Sequence, residues 1–385
     1  MSRPKVLLAI TVYNGRIIVP RALRSAMQLR NDVADIDVVV LDDCSPEPGF
    51  SQEISALCNE LGVLYYRSPR NLGIPRNVNL AMLMAEQRGY DYVVISNSDV
   101  MYAATAIDEL VKAHLSDPRI GSVTSWSTNV SVYSLPNTDP DRYLGDQDRV
   151  DWLGAVLAGQ WSGSTMDIPA GISFSMLVPT DVIREVGIMD PVYGRGYCEE
   201  IDWSLRCLAA GYRNTLGMGS FVYHQGRGSN VEAGVISGDQ TSLPENEAII
   251  DLRYPLFRMQ VGAFLSAGIL QTATTDAVRR IVSDGAKQFS YSLEVGWLPR
   301  ALENPTLVHA TLAPDGENAT LSAKFIGFEF THEIASDDPG AEIRELFGSD
   351  PSVINVYDRG RIAQAFTDDS AAPTSTKPAP YPSRV

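Results

Sequence analysis

Along the first 126 residues, short apolar runs alternate with segments of helical period. Val6 to Val12 is a continuous apolar run of strand length and Ile36 to Leu41 is a second, the pattern of strands buried on both faces. Between them Pro20 can open a helix carrying Leu23, Ala26 and Met27, because a first-turn proline gives up only an N–H that has no partner there. A second helical pattern places Phe50, Ile54, Leu57, Cys58 and Leu61 on one face, and Gly62 stands where a left-handed residue would end it. Val63 to Tyr66, Tyr92 to Ser96 and Ser122 to Trp126 supply three more strands, with helical patterns around Val78 to Ala85 and Ile107 to Leu115. Such alternation predicts an α/β fold built on a mainly parallel sheet flanked by helices.

From Asn129 to Met166 the period is lost in polar sequence holding prolines and two tryptophans, and a long aperiodic stretch inside a domain is usually functional or mobile. Regularity returns with a strand at Ile172 to Val178, a short helix after Thr180 and Asp181, and an amphipathic helix from Glu199 to Ala210 closed by Gly211. Ser220 to His224 reads as a strand ending in a glycine-rich turn. Asn246 to Phe289 reads as helical, and its Tyr254 to Leu270 portion is the most apolar stretch of the chain. Three β-rich runs and one short helix between Ser290 and Thr367 suggest a small α+β domain. The expected division is a catalytic domain over 1–230, a helical extension over 231–289, the α+β domain over 290–368 and a disordered Pro/Ser/Ala-rich tail over 369–385.

Composition narrows the function. At 385 residues, 44% hydrophobic and 20% charged, the chain is globular and long enough for two or three domains. Its formal net charge of −16 repels phosphate polymers and anionic lipid, which argues against nucleic acid as a partner. No apolar run is long enough to cross a bilayer, and the opening segment lacks a cleavage-type signal, so a cytoplasmic protein without a transmembrane segment is expected. Cys44, Cys58, Cys198 and Cys207 form neither a C-x-x-C pair nor a zinc pattern and read as reduced thiols. The apolar Tyr254 to Leu270 stretch needs cover from the catalytic domain, the C-terminal region or a second subunit, and a homo-oligomer through the C-terminal region is one expectation.

Ligands of open parallel sheets bind beyond the carboxyl ends of the strands, which draws attention to polar residues there. They are Thr11 to Gly15, Asp42 to Ser45, Asn71 to Gly73, Asn97 to Asp99, the Glu199-Glu200-Ile201-Asp202 run and His224. A dinucleotide site would need a Gly-x-Gly-x-x-Gly turn after the first strand, and TVYNGRIIVP does not provide it; a P-loop is absent too. These turns offer carboxylates, so a bound diphosphate needs a divalent cation between it and the protein. Taken singly, each cluster has a plainer use. Asp42 and Asp43 can be turn formers, the acids opening a helix can complement its dipole, and His224 can be a hydrogen-bonded strand end.

Together and in this order, VYNG, LDDCS, NLG, SNSD, EEIDWSLR and VYHQG resemble the inverting family 2 glycosyltransferases of GT-A fold, most closely their rhamnosyl- and galactofuranosyltransferase-like members. The resemblance covers roughly residues 5 to 230 and implies a GT-A nucleotide-sugar-binding fold. It implies that Thr11, Tyr13 and Asp43 hold the nucleoside, with Asn14, Asn71, Asn97 and Ser98 also at the nucleotide-sugar. It assigns Asp99 and His224 to Mn²⁺ or Mg²⁺ and Glu200 to the catalytic base; Asn97 and Glu200 stand where the family commonly has Asp. The implied activity is metal-dependent inverting transfer of a hexosyl or deoxyhexosyl group from a nucleoside diphosphate sugar, UDP or dTDP favoured, to a carbohydrate, lipid-linked or protein acceptor. Trp152, Trp161, Asp167 and Glu199 are the expected acceptor contacts, since aromatic faces stack on sugar rings. Competing readings are a non-catalytic GT-A-fold binding protein and a nucleotidyltransferase.

Overall fold

A computed structural model describes residues 3–226, 243–296, 307–315, 318–334, 337–357 and 366. The glycine-rich turn beyond Gly226, the start of the expected helical extension and the terminal tail lie outside the described residues. The chain forms two compact units, one of residues 1–135 and 144–271, the other of 136–143 and 272–385.

In chain order the first unit contains β1 (Lys5–Val12), α1 (Ile18–Ala26), β2 (Asp35–Asp42), α2 (Phe50–Leu61), β3 (Leu64–Arg67), α3 (Ile74–Arg88), β4 (Tyr92–Ser96), β5 (Val100–Tyr102), α4 (Ala106–Leu115) and β6 (Ile120–Trp126). After α5 (Pro140–Leu144) come α6 (Gln147–Trp161), β7 (Thr165–Asp167), β8 (Ser175–Pro179), α7 (Thr180–Val186), α8 (Glu199–Ala209), β9 (Arg213–His224), α9 (Pro244–Arg253) and α10 (Phe257–Ser266). The nine strands form one sheet in the order β3-β2-β1-β4-β8-β6-β9-β5, with β7 also on β9. Strands β1, β2, β3, β4, β6 and β9 share one direction, because β8 pairs antiparallel to both β4 and β6 while the other contacts among these strands are parallel. Their carboxyl ends therefore line one edge, the edge that carries ligands in such sheets.

Hydrophobic burial on both sheet faces holds this arrangement. Leu7, Ala9, Val93 and Ile95 pack against Val78 and Met82 of α3 and Trp203 of α8, all fully or almost fully buried. Each such large apolar side chain contributes about 1.5–3 kcal/mol of burial free energy. Gly62 ends α2 at φ 69° as the pattern predicts. None of the four cysteines is in a disulfide.

The structure departs from the sequence reading in the stretch from Asn129 to Met166, which contains the fifteen-residue helix α6. Asp146 caps it, its side chain accepting from the N–H groups of Asp148 and Arg149, and Val150, Leu153 and Leu157 are buried beneath it. Gly154 lets it lie close to Ala103, since a Cβ there would sit 2.2 Å from the Ala103 Cβ.

The second unit holds α11 from Thr272 onward (helix Ile269–Phe289), β10 (Tyr291–Val295), β11 (Val308–Asp315), β12 (Asn318–Phe325), β13 (Phe328–Ile334), α12 (Pro339–Phe347) and β14 (Val353–Val356). Its five-stranded sheet runs β13-β12-β11-β10-β14. The division between Gln271 and Thr272 gives most of the long helix to this sheet, where the sequence pattern had placed the boundary near Phe289. Ala277, Ile281 and Ala286 are buried there, and Gly285 makes room for the Phe325 ring. Among the described residues no helix is long and apolar enough to cross a membrane.

Candidate active site

The turns after β1 and β2 are tied together at the carboxyl edge. Asn14 adopts a left-handed conformation (φ 59°), donates its N–H to Ser45 Oγ at 2.8 Å and accepts from the Glu47 N–H. Asp42 takes the plainer role foreseen for it. It is fully buried and accepts from Ser45 N at 2.8 Å and from Ser51 Oγ and Tyr65 Oη at 2.7 Å. Burial pushes its pKa up, but the hydrogen bonds from Ser45, Tyr65 and Ser51 outweigh this and leave it below the usual carboxylate value.

Asp43 instead holds the next turn, accepting from Leu72 N at 2.7 Å and Gly73 N at 2.9 Å. Its pKa is raised by burial, despite those two donors. Asn71 is exposed beside it and accepts from Gly73 N, while Tyr13 is half-buried and the Thr11 hydroxyl donates to the Ser96 carbonyl. Gly73 cannot be replaced freely: its φ is +80°, and a Cβ would lie 2.3 Å from the Gly194 carbonyl oxygen. Gly73→Ala should cost about 2–4 kcal/mol from backbone strain and overpacking. Denaturant unfolding would measure it, and an unchanged midpoint would show that the close approach is unimportant.

At the end of β4 and the end of β9, Asp99, Asn97 and His224 converge. His224 Nε2 lies 3.2 Å from Asp99 Oδ1 and 3.2 Å from Asn97 Nδ2, and Nδ1 lies 2.9 Å from the Asn129 carbonyl oxygen. A carbonyl only accepts, so Nδ1 carries the proton and Nε2 is the atom with a lone pair when the ring is neutral. Such a carbonyl partner is the usual orienting contact of a metal-binding histidine. Asp99 Oδ1 is buried and makes no hydrogen bond of good geometry, so its contact with the ring is electrostatic. Burial opposes both charges, yet the pair overcomes it: Asp99 is held below the usual carboxylate pKa and His224 above the usual imidazole one. Ser98 is buried between Asn97 and Asp99. A carboxylate oxygen 3.2 Å from an imidazole nitrogen that carries a lone pair in the neutral ring is a donor set that fits a divalent cation whose other ligands come from a diphosphate. Among the described residues no cluster of three or more His, Cys, Asp or Glu side chains exists that could hold a metal alone.

Helix α8 begins after Cys198, whose φ of 75° turns the chain sharply, and places acids in its first turn. Glu199 is 2% exposed, Glu200 is half-buried, and in each Oε2 is buried without a hydrogen bond. Both pKa values are raised, first by burial, and Glu199 further by the neighbouring Glu200 carboxylate. The sign for stability follows. Unfolded glutamates ionise near pH 4.3, whereas the folded pair holds protons to higher pH, so the pair costs nothing at acid pH and destabilises as pH rises above that value. Glu199→Gln should therefore raise the melting temperature by a few degrees at pH 8 and leave it unchanged at pH 4. A thermal-melt series across that range checks it.

Glu200 opens onto a cavity of about 260 Å³. Its walls are the 131–133 segment, the 169–172 segment, Tyr197, Cys198, Glu200 and Ile201, and side chains of α9 and α10 including Glu247, Phe257 and Arg258. Chain two residues beyond each of the first two segments borders the metal-type cluster. Asn129 bonds to His224, and Phe174 packs on the His224 ring with centroids 5.5 Å apart and accepts from Asn97 N. The cavity and the Asp99–His224 pair thus share neighbouring chain.

None of the expected acceptor contacts lines the cavity: Glu199 precedes Glu200 in α8 but is not in its wall, and neither are Trp152, Trp161 and Asp167. Asp167 pairs with Arg213 at 2.6 Å, at the start of β9, whereas His224 is the last residue of that strand. Trp152 is half-buried within α6 and Trp161 is that helix's last residue. The α10 wall, which sequence reasoning did not assign to the site, carries its signal in the Phe257, Val261, Phe264 spacing.

Residues 8–162 match the model of Glycosyl transferase family 2, a match that spans the strand-end turns through Asp99 and stops before Glu200 and His224. No curated protein matches the chain. Among solved structures, the chain is similar to the mannosyltransferase PcManGT from Pyrobaculum calidifontis in complex with GDP-Man and Mn²⁺, at 16% identity over 72% of this chain and 74% of that one, with a TM-score of 0.45. It is also similar to GalNAc-T7 with UDP, GalNAc and Mn²⁺, at 13% identity over 58% of this chain and 44% of the other, with a TM-score of 0.45.

Proposed function

We propose that the chain is a metal-dependent inverting glycosyltransferase that moves a sugar from a nucleoside diphosphate sugar to an acceptor hydroxyl. The observation that carries this reading is a cation-type site, Asp99 with His224, together with the Glu200 carboxyl, which lines a cavity walled by chain two residues from that site's neighbours Asn129 and Phe174. The family match over residues 8–162 supports the nucleotide-sugar part.

Turns at Tyr13–Asn14 and Asn71–Gly73, fixed by Ser45 and Asp43, form the nucleoside end of the site. Asp99 and His224 would hold Mn²⁺ or Mg²⁺, which when bound neutralises charge on the leaving diphosphate. Glu200 takes the proton of the acceptor hydroxyl as that oxygen attacks the anomeric carbon opposite the leaving group, a single displacement that inverts the centre. Burial raises its pKa and so strengthens it as a base, provided the pH is high enough to ionise it. Transfer should accordingly fall on acidification at a pH above the ordinary glutamate value.

EDTA should stop transfer, Mn²⁺ or Mg²⁺ should restore it, and His224→Ala should weaken the metal-dependent donor affinity by 10-fold or more, as loss of a ligand does. Nucleoside diphosphate release on incubation with donor sugars is the assay. Full activity in EDTA would remove the cation from the account. Asn97→Asp adds a carboxylate 3.2 Å from Nε2 and should tighten Mn²⁺ binding.

A further inference from the structure

Apart from Arg258, the wall of the Glu200 cavity contributed by α10 is apolar. Phe257, Val261 and Phe264, spaced i, i+4 and i+7, are its half-buried positions and all three line the cavity. No residue of α10 is fully buried, and Met259, on the face opposite this stripe, is 70% exposed. The stripe therefore turns its apolar surface to the same cavity that Glu200 lines.

Two polar side chains of the cavity are already engaged. Arg258 is neutralised by Asp251 at 2.6 Å and Glu247 at 3.5 Å, and the Tyr133 hydroxyl donates to the Ala170 carbonyl at 2.6 Å. The cavity therefore presents no uncompensated cation to an anionic ligand and few donors to a chain of sugar hydroxyls. Its volume of about 260 Å³ falls just below the usual range for small-molecule pockets, too little for an oligosaccharide.

We propose that the acceptor carries an apolar aglycone, an alkyl or aryl group, that lies against Phe257, Val261 and Phe264 while its hydroxyl meets Glu200. This rests on the glycosyltransferase reading only for the identity of the reacting hydroxyl. The apolar subsite itself can be tested without donor, metal or turnover.

Methyl, butyl and octyl β-glucoside, titrated calorimetrically below micellar concentration, are the probes. Each buried methylene tightens binding by about 3- to 4-fold, so octyl over methyl should gain roughly 30-fold or more if at least three are buried. Val261→Asp should abolish that dependence on chain length, whereas Met259→Asp, on the opposite face of the helix, should leave it in place; thermal melts confirm that both variants fold. Equal affinity across the series overturns the proposal, as does an equal loss in both variants. A monomer-to-dimer change in light scattering that Val261→Asp removes, or sedimentation with neutral phosphatidylcholine vesicles without any effect of probe chain length, would give the face to a second copy or a membrane and likewise overturn it. Chain-length dependence with no donor turnover under any condition would support this subsite and sink the catalytic reading instead.

Discussion

Glu200→Gln should lower transfer by about 10²- to 10⁴-fold while donor affinity stays close to that of the native chain. The substitution keeps the shape of the side chain and removes only its capacity to accept a proton. Glu200 lines the cavity and its buried Oε2 accepts no hydrogen bond, so the neutral amide breaks no network at that atom. The loss should appear in kcat rather than in the donor KM, since the interaction is made with the acceptor proton. A variant retaining half of the turnover would move the base elsewhere, and Glu199 would then be the nearest carboxyl.

Asp202→Ala should be the most destabilising of the substitutions considered, by about 3–5 kcal/mol, with little direct effect on chemistry. From its place two residues past Glu200, Asp202 reads as a residue facing away from the site and so as a neutral control. The structure makes it a fully buried hub instead. It accepts from Arg206 Nε at 2.9 Å, Arg253 Nη1 at 2.9 Å, Tyr254 Oη at 3.0 Å and Tyr193 Oη at 3.2 Å. Removing it takes the shared acceptor from two guanidinium groups and two hydroxyls and cuts a link between α9 and α8, while Arg253 keeps Asp190 and Arg206 keeps the Val186 and Ile188 carbonyls. Arg206 and Arg253 keep 29% and 37% exposure, so water can recover part of the loss and the lower half of the range is expected. Urea unfolding followed by tryptophan fluorescence measures it; a change under 1 kcal/mol would show that the network is dispensable.

The case of Asp202 shows where sequence legibility ended. Period and turn chemistry are local, and they were enough to place β1, β2, β4, α2 and α8 within a residue or two and to put Thr11, Asp43, Asn97, Asp99 and His224 at one sheet edge. Asp202's partners Arg253 and Tyr254 lie 51 and 52 positions away, and nothing in the local pattern connects them. Helix α6 escaped for a related reason. Its apolar positions are spread around the helix and interrupted by Gly154, so burial of Val150, Leu153 and Leu157 under tertiary contacts decides it, not amphipathic period. The antiparallel direction of β8 is likewise set by its pairing with β4 and β6, although its apolar composition was visible. Tryptophans and polar loops drew attention to Trp152, Trp161 and Asp167 as acceptor contacts, yet the cavity beside Glu200 is walled by α10 instead.

The most direct test of the central claim is nucleoside diphosphate release from a panel of UDP-, dTDP- and GDP-sugars, measured with Mn²⁺ and with EDTA, for the native chain and for Glu200→Gln. The account predicts that at least one donor is turned over with Mn²⁺, that EDTA abolishes this, and that Glu200→Gln still binds the same donor with Mn²⁺ but releases its diphosphate at least about 100-fold more slowly. Equal release by the native chain and Glu200→Gln, or undiminished release in EDTA, would contradict it.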